Sequence, residues 1–167
     1  MGAAERHPLR PDPVRRPGRP EEWRLDDLGL TPFQHLTLQL CRWHFHAFNA
    51  PESQGWLRAL QLATGEVGAA QAGALCYDVV ALVEALRAVR RSTFRFNPEA
   101  CAGCRCWATA DERRLLALLG AVARGQEGRA QTEAQLLSDG TPNPDLVAAA
   151  RSYTARHAMG LSALPLA

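Results

Sequence analysis

The chain has 167 residues, with 19 arginines against 17 acids, no lysine, no isoleucine and a net charge of +2. Its 47 % hydrophobic content excludes fibrous, collagenous and wholly disordered classes, and the small net charge excludes a dedicated nucleic-acid coat. Arginine, alanine and leucine in place of lysine and isoleucine is the composition of a GC-rich bacterial coding sequence. No run approaches the ~18 apolar residues of a membrane span, and no apolar core follows the basic N-terminus, so no membrane contact and a cytoplasmic location are expected.

Residues 1–30 read as an extended or disordered arm rich in arginine and proline. Five prolines between Pro8 and Pro20 remove backbone donors and disfavour helix. Little here is apolar until Trp23, Leu25, Leu28 and Leu30, which could fasten the end of the arm to the domain. Residues 1–20 carry most of the positive charge, and the remainder is nearly neutral. Arg15, Arg16 and Arg19 lie in the stretch Arg15-Arg16-Pro17-Gly18-Arg19-Pro20, which is similar to an AT-hook. That motif has arginine before its glycine, where this chain has Pro17. The resemblance implies minor-groove DNA contact by the arm, while a disordered arginine segment alone could contact phosphates.

The helical domain is expected over residues 31–160, with 161–167 as a flexible tail. Thr31-Pro32-Phe33-Gln34 is a capping box with proline in the first turn, and the helix should run to about Asn49. Apolar residues around most of its circumference make it central and largely buried. A second helix is expected from Pro51-Glu52 to about Gly65, with Trp56, Leu57, Leu60 and Ala63 on one face. The longest follows over 66–93, opening on small residues and closing on Arg87, Arg90 and Arg91, which suit a helix C-terminus. Asp78 sits between its apolar positions and reads as a solvated or salt-bridged acid, with a polar role of its own as the alternative. Thr109-Ala110-Asp111-Glu112 is a second capping box, opening a helix to about Arg124. A short helix over 126–138 and a last one from Asn143 to about Met159 complete the chain. No alternating strand pattern occurs. The reading is all-α: a compact bundle of five to six helices, with a cysteine-containing loop and a disordered N-terminal arm.

That loop, Phe94–Thr109, holds Cys101-Ala102-Gly103-Cys104-Arg105-Cys106. Three thiols in six residues, out of five cysteines in all, point to a metal or redox site and away from a secreted disulfide framework. Thiolates favour zinc, with an iron–sulfur cluster as the alternative. Gly103 could supply a positive φ for the tight turn. A closed zinc site needs four ligands. Cys101, Cys104 and Cys106 give three, and the fourth would come from His44 first, or from Cys41, His46, Cys76 or His157. Cys41 and Cys76 also read as plain core residues. The C-x-x-C-x-C spacing is similar to the metal-binding loop of the nitrile hydratase α subunit, where three cysteines and two backbone amides hold cobalt or iron. The likeness covers six residues, only the cysteines match, and Arg105 stands where that family has serine.

Three functions remain in view. The first is a zinc-binding accessory or regulatory protein acting through a protein partner. The second is a redox protein or metalloenzyme using the cysteine loop. The third is a DNA-associated factor using the arm. The motifs of metalloproteases, nucleotide-binding loops and serine hydrolases do not occur.

Overall fold

The structure is a computed structural model that describes residues 16–157. Six α-helices follow one another: α1 Pro32–Asn49, α2 Gly55–Val67, α3 Ala69–Val89, α4 Ala110–Ala123, α5 Glu127–Leu137 and α6 Pro144–His157. The expected helices are therefore present with small shifts. The second starts at Gly55 because Pro51–Ser53 forms a separate 3₁₀ turn. It is parted from α3 at Gly68, whose φ of 82° is open to glycine and strained for other residues. The expected end of the last helix, at Met159, and the tail over 161–167 lie outside the described residues.

Both capping boxes form. The Thr31 hydroxyl accepts from the Gln34 amide while the Gln34 side chain accepts from the Thr31 amide, and Thr109 and Glu112 do the same at α4. Each box satisfies orphan donors at a helix start.

The helices share one apolar core. Leu40 of α1, Ala59 of α2, Leu82 and Leu86 of α3, Leu118 of α4, Ala134 of α5 and Leu146 of α6 all belong to it. The pairs α1–α2, α2–α3, α3–α6, α4–α5 and α4–α6 pack closely. As expected of a helix apolar over most of its surface, α1 is central and buries nine of its residues.

The arm expected over residues 1–30 is tied down from Arg16 onward. Trp23–Arg24 (β1) pairs antiparallel with Trp107–Ala108 (β2), the two short strands that sequence periodicity could not reveal. Leu25 then enters a second apolar cluster with Leu38, Ala108 and Leu116. Two-residue strands are too short for an alternating pattern; this packing of Leu25 holds them in register.

The largest fully buried side chain is a charged one, Arg42 of α1. Its Nε donates to Glu112 Oε1 at 2.6 Å and its Nη2 to Glu112 Oε2 at 3.2 Å. Its Nη1 donates to Glu99 Oε1 at 2.8 Å and to the Arg105 carbonyl at 3.0 Å, and Nη2 also reaches the Trp107 carbonyl at 2.6 Å. A guanidinium has five N–H donors in a fixed fork, and here both ends of the fork are used twice. Burial pulls its pKa down, but Glu112 and Glu99 more than reverse this, leaving it above the ordinary arginine value.

Removing one partner from a buried ion cluster costs about 3–5 kcal/mol, because the others stay buried and unpaired. Arg42→Met should therefore lower the unfolding free energy in urea by about that amount. An unchanged unfolding midpoint would contradict the role given to Arg42.

Candidate functional site: the cysteine loop

The stretch between α3 and α4 crosses the bundle in extended form and then coils into consecutive tight turns. The Cys101 amide donates to the Pro98 carbonyl, the Cys104 and Arg105 amides to the Cys101 carbonyl, and the Trp107 amide to the Cys104 carbonyl. This succession of short-range bonds brings the cysteines together. Gly103 does not supply the positive φ expected of it; the glycines with positive φ among the described residues are Gly29, Gly68, Gly125 and Gly140. Gly103 is instead a buried position inside the turn.

Cys101 and Cys104 are joined in a disulfide, with Cα atoms 5.1 Å apart. Cys106 is a free thiol, half-buried, its Sγ 3.7 Å from the Ala102 carbonyl oxygen. The Cys106 sulfur is thus folded back over the turn that carries the disulfide.

Three anchors hold this loop. Arg42 fixes Glu99 before the cysteines, and the carbonyls of Arg105 and Trp107 on either side of Cys106. Asn97 is buried, donating its amide to Glu112 Oε1 at 3.1 Å and its side chain to the Trp107 carbonyl at 2.9 Å. The N-terminal segment closes over the other side. Leu25 donates its amide to the Cys106 carbonyl at 3.0 Å. Gly18 lies so close to the Trp107 ring that a Cβ there would come within 2.4 Å of it.

That segment is locked by Glu22. Its carboxylate accepts from Arg16 Nη1 and Nη2 at 2.7 and 2.8 Å and from the Arg19 amide at 2.9 Å, while Arg16 Nη2 also donates to Asn97. The hydrogen bonds from Arg16 hold the Glu22 pKa down to about 2 against the opposing effect of burial, with Arg19, Asn97 and the Arg16 charge adding to the lowering.

The predicted ligands are placed as follows. Cys101, Cys104 and Cys106 share the loop. His44 is seven residues, almost two full turns, after Thr37, so it looks out from the same side of α1. Thr37 faces α6, with its hydroxyl 2.5 Å from that of Tyr153. Two residues from Arg42 is ~200° of helix, so His44 points away from the loop that Arg42 grips. It is buried, its Nε2 has no hydrogen-bond partner, and burial lowers its pKa, which favours the neutral ring.

Cys41 is a core residue whose thiol is pushed up to about 12, chiefly by burial, so it remains protonated. Cys76 also belongs to the core, and His46 is half-buried, edge-on to Trp43. His157 and Arg156 both bond to Asp78, at 3.0 and 2.8 Å. Asp78 is thus a salt-bridged acid, and it fastens α6 to α3. Among the described residues, no three His, Cys, Asp or Glu side chains gather in a way that would hold a metal ion.

Of the proposed DNA contacts, Arg15 lies outside the described residues. Arg16 is committed to Glu22 and Asn97, and Arg19 is exposed. Among the described residues no helix is long and apolar enough to cross a membrane. Sequence reasoning missed Arg42, Glu99 and Asn97. Arg42 carried a usable signal, because it is the one arginine inside the helix that apolar content marks as central. The comparisons with protein-family models, curated proteins and solved structures gave no match for this chain.

Two outcomes are expected. A thiol-alkylating reagent added to the unreduced native protein should modify Cys106 alone among the five cysteines, with Cys41 and Cys76 reacting only after unfolding. Rapid labelling of Cys41 in the folded protein would contradict its burial. For Glu22, a depressed carboxylate pKa means the tether is at full strength above the unfolded value of ~4.3 and is lost as pH falls through about 2. An NMR titration of its carboxyl carbon should have its midpoint near 2; a midpoint near 4 would remove the ion pair from the account.

Proposed function

We propose that this protein is a small thiol–disulfide regulatory or accessory protein whose working centre is the Cys101–Cys104 pair with Cys106 beside it. One observation carries the reading: a surface C-x-x-C closed into a disulfide sits on a loop whose ends are fastened into the buried core by Arg42. Opening and closing that bond would change the surface formed by the turn and by the N-terminal segment lying on Cys106 and Trp107. A partner protein would read that change. Arg42 would confine it, since the anchoring bonds do not involve the sulfurs.

A second reading is favoured by the three sulfur donors in one tight turn. In the reduced state, Cys101, Cys104 and Cys106 would form a three-thiolate set for a soft metal, zinc before an iron–sulfur cluster. His44 points away from the loop and the Cys41 thiol is buried and protonated, so a further ligand would come from solvent or a partner.

Equilibration in thiol–disulfide buffers of graded potential, with mass mapping, tests the first reading. The Cys101–Cys104 bond should form and break reversibly between about −300 and −180 mV, the span of dithiols that cycle. A bond that fails to form at any potential would overturn the reading. The second reading expects one zinc per reduced chain by elemental analysis, with Cys104→Ser lowering metal content and melting temperature together. A metal-free reduced protein would remove it.

A further inference from the structure

Cys106 has no assigned task in the disulfide itself, yet its main chain is firmly anchored. The carbonyls on both sides of it are held by the same guanidinium, at 3.0 and 2.6 Å. Its own carbonyl is taken by the Leu25 amide. The backbone of Cys106 is therefore fixed at three successive carbonyls, whereas the disulfide lies in the turn beyond them. Its thiol leans over that turn, against the Ala102 carbonyl between the two bonded cysteines. A preorganised, accessible thiol beside a disulfide is arranged for exchange.

We infer that Cys106 is the entry thiol of the centre: it captures a low-molecular-weight disulfide and passes the oxidation to Cys101 and Cys104. This rests on the thiol–disulfide reading given above. Starting from the reduced protein, the Cys106 thiolate attacks one sulfur of the small disulfide. A Cys106–S bond forms, the small S–S bond breaks, and the first small thiolate leaves with the electron pair. The Cys101 thiolate then attacks the Cys106 sulfur. A Cys101–Cys106 bond forms and the second small thiolate leaves. Finally Cys104 attacks the Cys101 sulfur and expels Cys106 as a thiolate. Two thiols, Cys101 and Cys104, are oxidised; one small disulfide is reduced to two thiols, which take up the two protons. The end state has Cys101–Cys104 bonded and Cys106 free, the state the structure holds.

The experiment uses the full chain, reduced and freed of metal by a chelator, mixed with oxidised glutathione and quenched in acid at intervals. Remaining thiols are alkylated and the protein is cut with trypsin. Arg105 lies between the two groups, so Cys106 falls in a different peptide from Cys101 and Cys104 unless a disulfide links them. A glutathione adduct on Cys106 should rise first and fall as the Cys101–Cys104 bond accumulates. Cys106→Ser should slow that bond at least tenfold without changing its final extent. Cys104→Ser should instead accumulate the Cys101–Cys106 linkage. A first adduct on Cys101 or Cys104, together with an unchanged rate in Cys106→Ser, would overturn the relay and leave the thiol–disulfide reading standing. If the Cys101–Cys104 bond forms in neither protein, that reading falls and the relay falls with it.

Discussion

The structure depends on where the charge of Arg42 is placed. A guanidinium with no exposed side-chain surface is a large desolvation cost, and it is tolerable here because every direction of the fork meets an acceptor. Two of those acceptors are carboxylates, from Glu99 and Glu112. The other two are carbonyls in a segment that has no regular secondary structure of its own. The long connection from α3 to α4 is thus held by the central helix it crosses. Without a buried donor on α1, the Arg105 carbonyl would lose its side-chain partner and the Trp107 carbonyl would keep only Asn97.

Glu112 joins two levels of organisation. Its carboxylate completes the capping box of α4 by accepting from the Thr109 amide, and it also receives Arg42 and the Asn97 amide. The start of α4 and the entry to the cysteine loop are consequently set by one side chain. A similar economy appears at the far end of the bundle, where the buried Asp78 carboxylate takes both Arg156 and His157. In each case a buried acid fastens its own helix to another part of the fold.

Local signals made much of the fold legible. Thr31 with Gln34 and Thr109 with Glu112 announce helix starts at three-residue spacing, and the apolar periodicity of α1 and α3 gives their place in the core. Residues 16–30 were harder to read, because the bond from Arg16 to Asn97 spans 81 residues and leaves no local pattern. The cysteine cluster was visible from composition and spacing alone. Its environment was not, since Arg42 meets Glu99 and Glu112 across 57 and 70 residues. His44 is near the loop ligands in its position along α1 but not in its angle around the helix. The side that carries Arg42 faces the loop, and the side that carries His44 faces the interior.

The anchoring of the loop bears on how it could be altered. The side-chain bonds that fix it come from Asn97 and from Arg42, which holds Glu99 and the carbonyls of Arg105 and Trp107, while the turn itself is closed by main-chain bonds and the Cys101–Cys104 disulfide; none involves the side chains of Ala100 or Ala102. Ala100 and Ala102 are exposed positions of the turn that carry none of its anchoring. Substitution at these two alanines would leave both the disulfide and the anchors in place, so they are the points at which the face of the turn can be varied without disturbing the bonds that shape it.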